Sequence, residues 1–139
     1  MILFLDTSAL VKLYVQEIHS STVEKAVAAA NDIIVSQITL AEAVSAFYYR
    51  TLKNELSTTD EPKIFKQLLE DWDTFNCVDV TEHITKEAAM LVRSRGLRGA
   101  DAIQLATAAW VSREQRFVHF LAFDEKLIEA AKGIVRVLE

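Results

Sequence analysis

Residues 1–16, MILFLDTSALVKLYVQ, carry the reading that decides the fold. Met1–Leu5 is an unbroken apolar run, the pattern of a strand buried on both faces. Asp6, Thr7 and Ser8 then offer side chains able to cap a helix, and Ala9–Gln16 carries helical spacing behind them. A doubly buried strand leading straight into a helix is the unit from which parallel sheets covered by helices are built.

The same alternation repeats along the chain. A helix is expected from about Ser20 to Ala30, a short strand at Ile33–Val35, and the longest helix over Ser36–Leu56, where Leu40, Val44, Phe47, Tyr48 and Leu52 share a face. Ser57–Pro62 reads as a loop, Lys63–Phe75 as a helix and Val78–Val80 as a strand. A helix opened by Thr81 or Thr85 runs to about Arg95. After the glycine-flanked turn Gly96–Gly99, Ala100–Val111 is apolar almost all round, as a central buried helix is. Phe117–Phe123, Glu125–Lys132 and Ile134–Leu138 follow as strand, helix and strand. The alternation predicts a single α/β domain over residues 1–139, in which ligands bind beyond the carboxyl ends of the strands.

A chain of 139 residues, about half of them hydrophobic, buries a core without cross-links. Cys77 is the only cysteine, which excludes an internal disulfide and any multi-cysteine metal site; its place in the run Phe75–Val80 reads as a buried thiol. The apolar stretch Met1–Leu5 ends at Asp6, too short for a signal peptide or a membrane span, so a cytoplasmic location is expected. A net charge of −5 carries none of the basic excess usual in nucleic-acid binding proteins.

The chemistry lies in acids. Asp6 and Asp124 each follow an expected strand, Asp101 opens the helix that is nearly free of charge, and Glu42 sits among Ala41, Ser45 and Ala46, opposite the apolar face of its helix. Taken singly each has an ordinary explanation: capping for Asp6 and Asp124, the helix dipole for Asp101, a solvated surface for Glu42. Taken together they point elsewhere, because clustered carboxylates repel unless a cation lies among them. An oxygen-only donor set without histidine or thiolate selects Mg²⁺ or Mn²⁺. Such ions activate water and neutralise a transferring phosphoryl group, which points to phosphodiester hydrolysis. Arg93, Arg95 and Arg98 precede Asp101 and, with Lys12, Arg113 and Arg116, are candidates for flanking phosphates.

Four stretches now align with a known pattern: FLDTSALVKLY (4–14), SQITLAEAVSAF (36–47), GLRGADAIQLATAAW (96–110) and LAFDEKLIEAAKG (121–133). Together they resemble PIN domains, and most closely the VapC-type toxin ribonucleases. The resemblance implies a three-layer α/β/α sandwich around a parallel sheet of four to five strands in the order 3-2-1-4-5. It implies that Asp6, Glu42, Asp101 and Asp124 are the metal-binding catalytic acids, with Thr7 and Ser8 supporting the first. It also implies RNA as substrate, products with a 5′-phosphate and a 3′-hydroxyl, a small antitoxin protein as partner, and a homodimer. Two positions depart from the pattern: Ala122 stands where many relatives have Ser or Thr, and Gln104 where histidine is common. Tyr48, Tyr49, Trp72 and Phe75 read as a groove for a partner helix or as core, with core favoured for Trp72 and Phe75. A PIN nuclease of RNA maturation and a non-catalytic PIN-fold module remain as alternatives. A haloacid-dehalogenase-like phosphatase does not, because its second acid would stand at Ser8.

Overall fold

Strand β1 (Ile2–Leu5) lies at the centre of a five-stranded sheet in a computed structural model that describes residues 1–139. On one side of it run β2 (Asp32–Ser36) and β3 (Asn76–Val78); on the other, β4 (Val118–Leu121) and β5 (Arg136–Val137). The order is β3-β2-β1-β4-β5 and every pair is parallel, with Leu3 opposite both Ile33 and His119. This is the topology that the family resemblance implies.

The apolar run of β1 serves two cores because successive side chains point to opposite faces. Leu3 and Leu5 pack with Val35, Leu121 and one set of helices: α1 (Thr7–Val11), α2 (Ser20–Ala29), α3 (Thr39–Leu52) and α4 (Glu61–Trp72). Phe4 stacks on Phe120 at 5.8 Å and packs with Ile34 against α5 (Glu82–Arg95), α6 (Gly99–Glu114) and α7 (Glu125–Ala131). Helix α6 buries Ala102, Leu105, Ala106, Ala108, Ala109 and Val111, and its small residues let it lie close to both α5 and the sheet. No helix is long and apolar enough to cross a membrane.

Several boundaries differ from the sequence-based expectation. Strand β3 falls at Asn76–Val78 rather than Val78–Val80, because Cys77 registers opposite Val35 while Val80 packs outside the ladder. The thiol of Cys77 is half-buried on this edge strand, rather than buried, and donates to Gln37 Oε1 at 2.8 Å. Helix α1 ends at Val11, and the chain tightens into turns through residue 14, where Lys12, Leu13 and Tyr14 each bond three residues back. Thr81, not Thr85, caps α5.

Helix α3 starts at Thr39, since Ser36 belongs to β2, and its buried stripe is Thr39, Ala43 and Phe47. Tyr48 and Leu52, expected on the apolar face, are 55% and 60% exposed. Small Ala43 brings the helix close to its neighbours, whereas a reading weighted by large side chains turns it toward the aromatics. Glu42 therefore flanks the buried stripe instead of opposing it. Trp72 and Phe75 pack edge-to-face at 6.1 Å on the core, whereas Tyr49 is exposed with Tyr48.

Candidate active site

The sheet order reverses between β1 and β4, and at their carboxyl ends lies a cavity of about 330 Å³. Asp6, Glu42, Asp101 and Asp124 all line it, although they come from four separate stretches of the chain.

Asp6 extends β1, its amide still bonded to the Leu121 carbonyl at 3.2 Å, and its side chain is almost wholly buried. One carboxylate oxygen does the capping that the sequence allows: Oδ1 accepts from the Ala9 amide at 2.9 Å and the Ser8 hydroxyl at 2.7 Å. No protein group bonds Oδ2. Capping and a place in the cavity are thus compatible, one oxygen serving each. Ser8 Oγ also accepts from the Phe123 amide at 3.2 Å, tying the first strand–helix junction to the last. Ala122, two residues before Asp124, is core, and Ser8 supplies the hydroxyl at this junction. Replacing Ser8 with Ala is expected to cost about 1 kcal/mol in urea unfolding. It should also raise the Asp6 pKa further, because a hydrogen bond to the charged form is lost; carboxyl-carbon NMR titration of the variant measures that rise.

Thr7 departs from the resemblance. Its hydroxyl donates to Glu42 Oε1 at 2.6 Å, so it steadies the second acid and not the first. The same oxygen accepts from Gln104 Nε2 at 3.1 Å. Gln104, on the inner face of α6, is 2% exposed, and its amide nitrogen also reaches Thr7 Oγ1 at 3.1 Å and Thr39 Oγ1 at 2.8 Å. Gln104 Oε1 is buried with no partner. A buried polar atom left unpaired is costly, and its retention marks Gln104 as held by the network around Glu42.

Asp101 occupies the first turn of α6 and Asp124 caps α7 through the Leu127 amide at 2.9 Å. The acids feel one another. Burial is the largest influence on Asp6 and pushes its pKa up to about 7; the hydrogen bonds from Ala9 and Ser8 oppose this, and the charges of Asp101 and Glu42 add to it. Asp101 is also raised, first by burial and then by Asp124 and Glu42, with Arg98 acting against them. No three of these acids are gathered into a closed ligand set. Repulsion keeps such groups apart, and Glu42 and Asp124 are each tied to hydrogen-bond donors of the protein. The donors are nevertheless oxygen only, and a divalent cation is the charge that would lower both raised acids, so the residues fit a hard metal ion.

The rim is basic. Lys12, Arg50 and Arg98 line the cavity. Glu17 binds Lys12 at 3.1 Å and the Arg50 guanidinium at 3.1–3.2 Å, holding both cations beside the acids. The sequence reading missed Arg50, yet the signal was there: Glu42, Ala46 and Arg50 recur every fourth residue along α3 and share one edge of it. Arg93 and Arg95 are exposed in the last turn of α5 and do not line the cavity, and Arg113 is locked by two bonds to Glu87.

Similarity to known proteins agrees with this geometry. No curated protein matches the chain. Among solved structures, FitAcB from Neisseria gonorrhoeae superposes with a TM-score of 0.73 at 20% identity, covering 100% of this chain and 97% of that one. VapC20 from Mycobacterium tuberculosis, described as a sarcin-ricin loop cleaving toxin, gives 0.69 at 21% identity over 97% and 98% of the two chains. VapBC2 from Rickettsia felis, bound to a promoter DNA fragment, gives 0.68 at 16% identity over 99% and 98%. At such identities the likeness is one of fold; the family is established by the sequence profile of the PIN domain, which matches residues 3–133. The chain belongs to the PIN domain family.

Proposed function

We propose that this chain is a ribonuclease dependent on Mg²⁺ or Mn²⁺, and the toxin of a toxin–antitoxin pair. The observation that carries the reading is the convergence of Asp6, Glu42, Asp101 and Asp124 on one cavity that no histidine or thiolate lines. Asp6, Glu42 and Asp101 would hold the ion, with the more exposed Asp124 in support. When bound, the ion supplies the positive charge that activates water and offsets the charge of the transferring phosphoryl group. The chain's own residues do the rest. Thr7 and Gln104 orient Glu42, Ser8 and the Ala9 amide orient Asp6, and Arg98, Lys12 and Arg50 meet the phosphates on either side of the scissile bond. Three cations stand against four acids at the cavity, two of them shared with Glu17, so the local charge stays negative until the ion binds.

Similarity to VapC20, described as a toxin, and to a toxin–antitoxin complex from Klebsiella pneumoniae supports the toxin reading and a small antitoxin as partner; a homodimer and a cytoplasmic location belong to the same proposal. The exposed Tyr48, Tyr49 and Leu52 on α3, and Phe65 and Leu69 on α4, which packs against it, suit an amphipathic partner helix. Purified protein is expected to cleave RNA in Mg²⁺ or Mn²⁺ and to stop when EDTA is added. Cleavage undiminished by the chelator overturns metal dependence, and none under any metal leaves a non-catalytic PIN module. Growth arrest on expression separates a toxin from a PIN nuclease of RNA maturation.

A further inference from the structure

At the opposite end of the sheet, a second cavity of about 640 Å³ opens between the loop that enters β4 and the loop between α7 and β5. Arg116, Phe117 and Arg136 line it, and no carboxylate does. Neither arginine is engaged in an ion pair. On a chain of net charge −5, two unpaired arginines around one acid-free cavity make a local positive potential. Ser112 also lines the cavity, but its hydroxyl is buried and finds no partner within the protein.

Phe117 is the unusual member. The residue is 66% exposed, and its φ of +63° lies in the left-handed region, where a bulky side chain costs on the order of 1–2 kcal/mol. The backbone is pinned there by the Ile2 amide, which donates to the Phe117 carbonyl at 3.0 Å. An outward ring beside two guanidinium groups is the combination by which single-stranded nucleic acid is gripped, with a base against the ring and phosphates on the arginines. A membrane surface would call for a broader apolar patch than one phenyl ring.

We propose that this cavity is a second RNA contact, in which Arg116 and Arg136 bind backbone phosphates and Phe117 stacks on a base. The proposal rests on the ribonuclease reading of the acidic cavity and extends it. A long RNA is gripped at both ends of the sheet, and a short one only at the acids.

The test is fluorescence anisotropy of the metal-free protein with a single-stranded RNA of about 20 nucleotides, longer than the roughly 4–16 nucleotides a single binding module occupies. The double variant Arg116→Glu/Arg136→Glu is expected to bind at least about tenfold more weakly, with a salt-dependence slope shallower by roughly 1.4, as for two lost phosphate contacts on a single strand. Phe117→Ala should weaken binding at least about fivefold and Phe117→Tyr should restore it. With metal added, cleavage of an RNA of about four nucleotides, too short to span both sites, should be unchanged in all three variants. Unchanged affinity for the long RNA in the double variant overturns the proposal. So does a Phe117→Ala protein that loses a dimer but keeps its RNA affinity, because the face is then a protein interface. If the variants lose affinity for the long RNA while no variant or parent protein cleaves any RNA, the ribonuclease reading fails and this contact stands.

Discussion

Asp6→Asn is expected to abolish RNA cleavage and, in the absence of metal, to make the protein more stable at pH 8. The first effect, a loss of at least about 100-fold, follows from removing a charged oxygen from the set proposed to hold the ion. The second follows from burial. Below about pH 4 this acid is protonated in both folded and unfolded chains; above 7, the value to which burial pushes it, it is charged in both. Between those limits the folded chain retains a proton that the unfolded chain has released, so its contribution to stability falls as pH rises. Asparagine removes that penalty while its Oδ1 can still accept from Ala9 and Ser8. The gain in unfolding free energy should be near zero at pH 4 and grow to at most about 4 kcal/mol above pH 7. Added Mg²⁺ should raise the melting temperature of the parent protein and leave that of the variant unchanged. Thermal melts at pH 4, 6 and 8, with and without Mg²⁺, check all of this. A variant less stable than the parent at pH 8 would sink the electrostatic account, and a fully active one the catalytic assignment.

Gln104→Leu is expected to lower cleavage about 10- to 100-fold with little change in stability, the magnitude usual when a group that orients a metal-binding carboxylate is removed. Leucine is close in size, so the packing of α6 survives. The substitution removes the donor to Glu42 Oε1, Thr7 Oγ1 and Thr39 Oγ1, yet it also removes the buried, unpaired Oε1. These changes oppose each other in stability and coincide in function, because Glu42 is then steadied by Thr7 alone. Mn²⁺ affinity by calorimetry should fall with activity, which a purely structural role would not produce. Gln104→Glu should be worse than leucine, since it sets a like charge beside Glu42. Normal Mn²⁺ affinity and full activity in Gln104→Leu would remove Gln104 from the site.

The fold was legible because one signal is unambiguous. Met1–Leu5 alternates Leu3 and Leu5 with Phe4 between two cores, as a strand buried on both faces does. The near-chargeless helix around Leu105 told the same story. Legibility failed where tertiary packing overrides side-chain size: Ala43, not Tyr48, faces inward on α3, and Cys77, not Val80, joins the sheet. Asp6, Asp101 and Asp124 could be picked out because each stands at an expected element boundary or first helical turn; Glu42, well inside the helix expected from Ser36, stood out only by its small neighbours and the family resemblance. The groups that orient them were harder to see. Thr7 serves Glu42 rather than its neighbour Asp6, and Gln104 reaches Thr7 from 97 positions away. Such links belong to the three-dimensional assembly, and no local spacing encodes them.

The pairing of β1 with β4 has a temporal consequence. β1 can pair early with β2, Ile2 opposite Asp32, but Ile2 meets Val118, and Asp6 gains the Leu121 carbonyl and the Ser8–Phe123 tie, only once that late segment exists. Contacts so remote along the chain form slowly and last. A nascent chain therefore cannot assemble the acidic cavity until the segment that carries Asp124 has been made. For the toxin proposed above, that delay leaves an interval during translation in which an antitoxin can arrive before there is anything to inhibit.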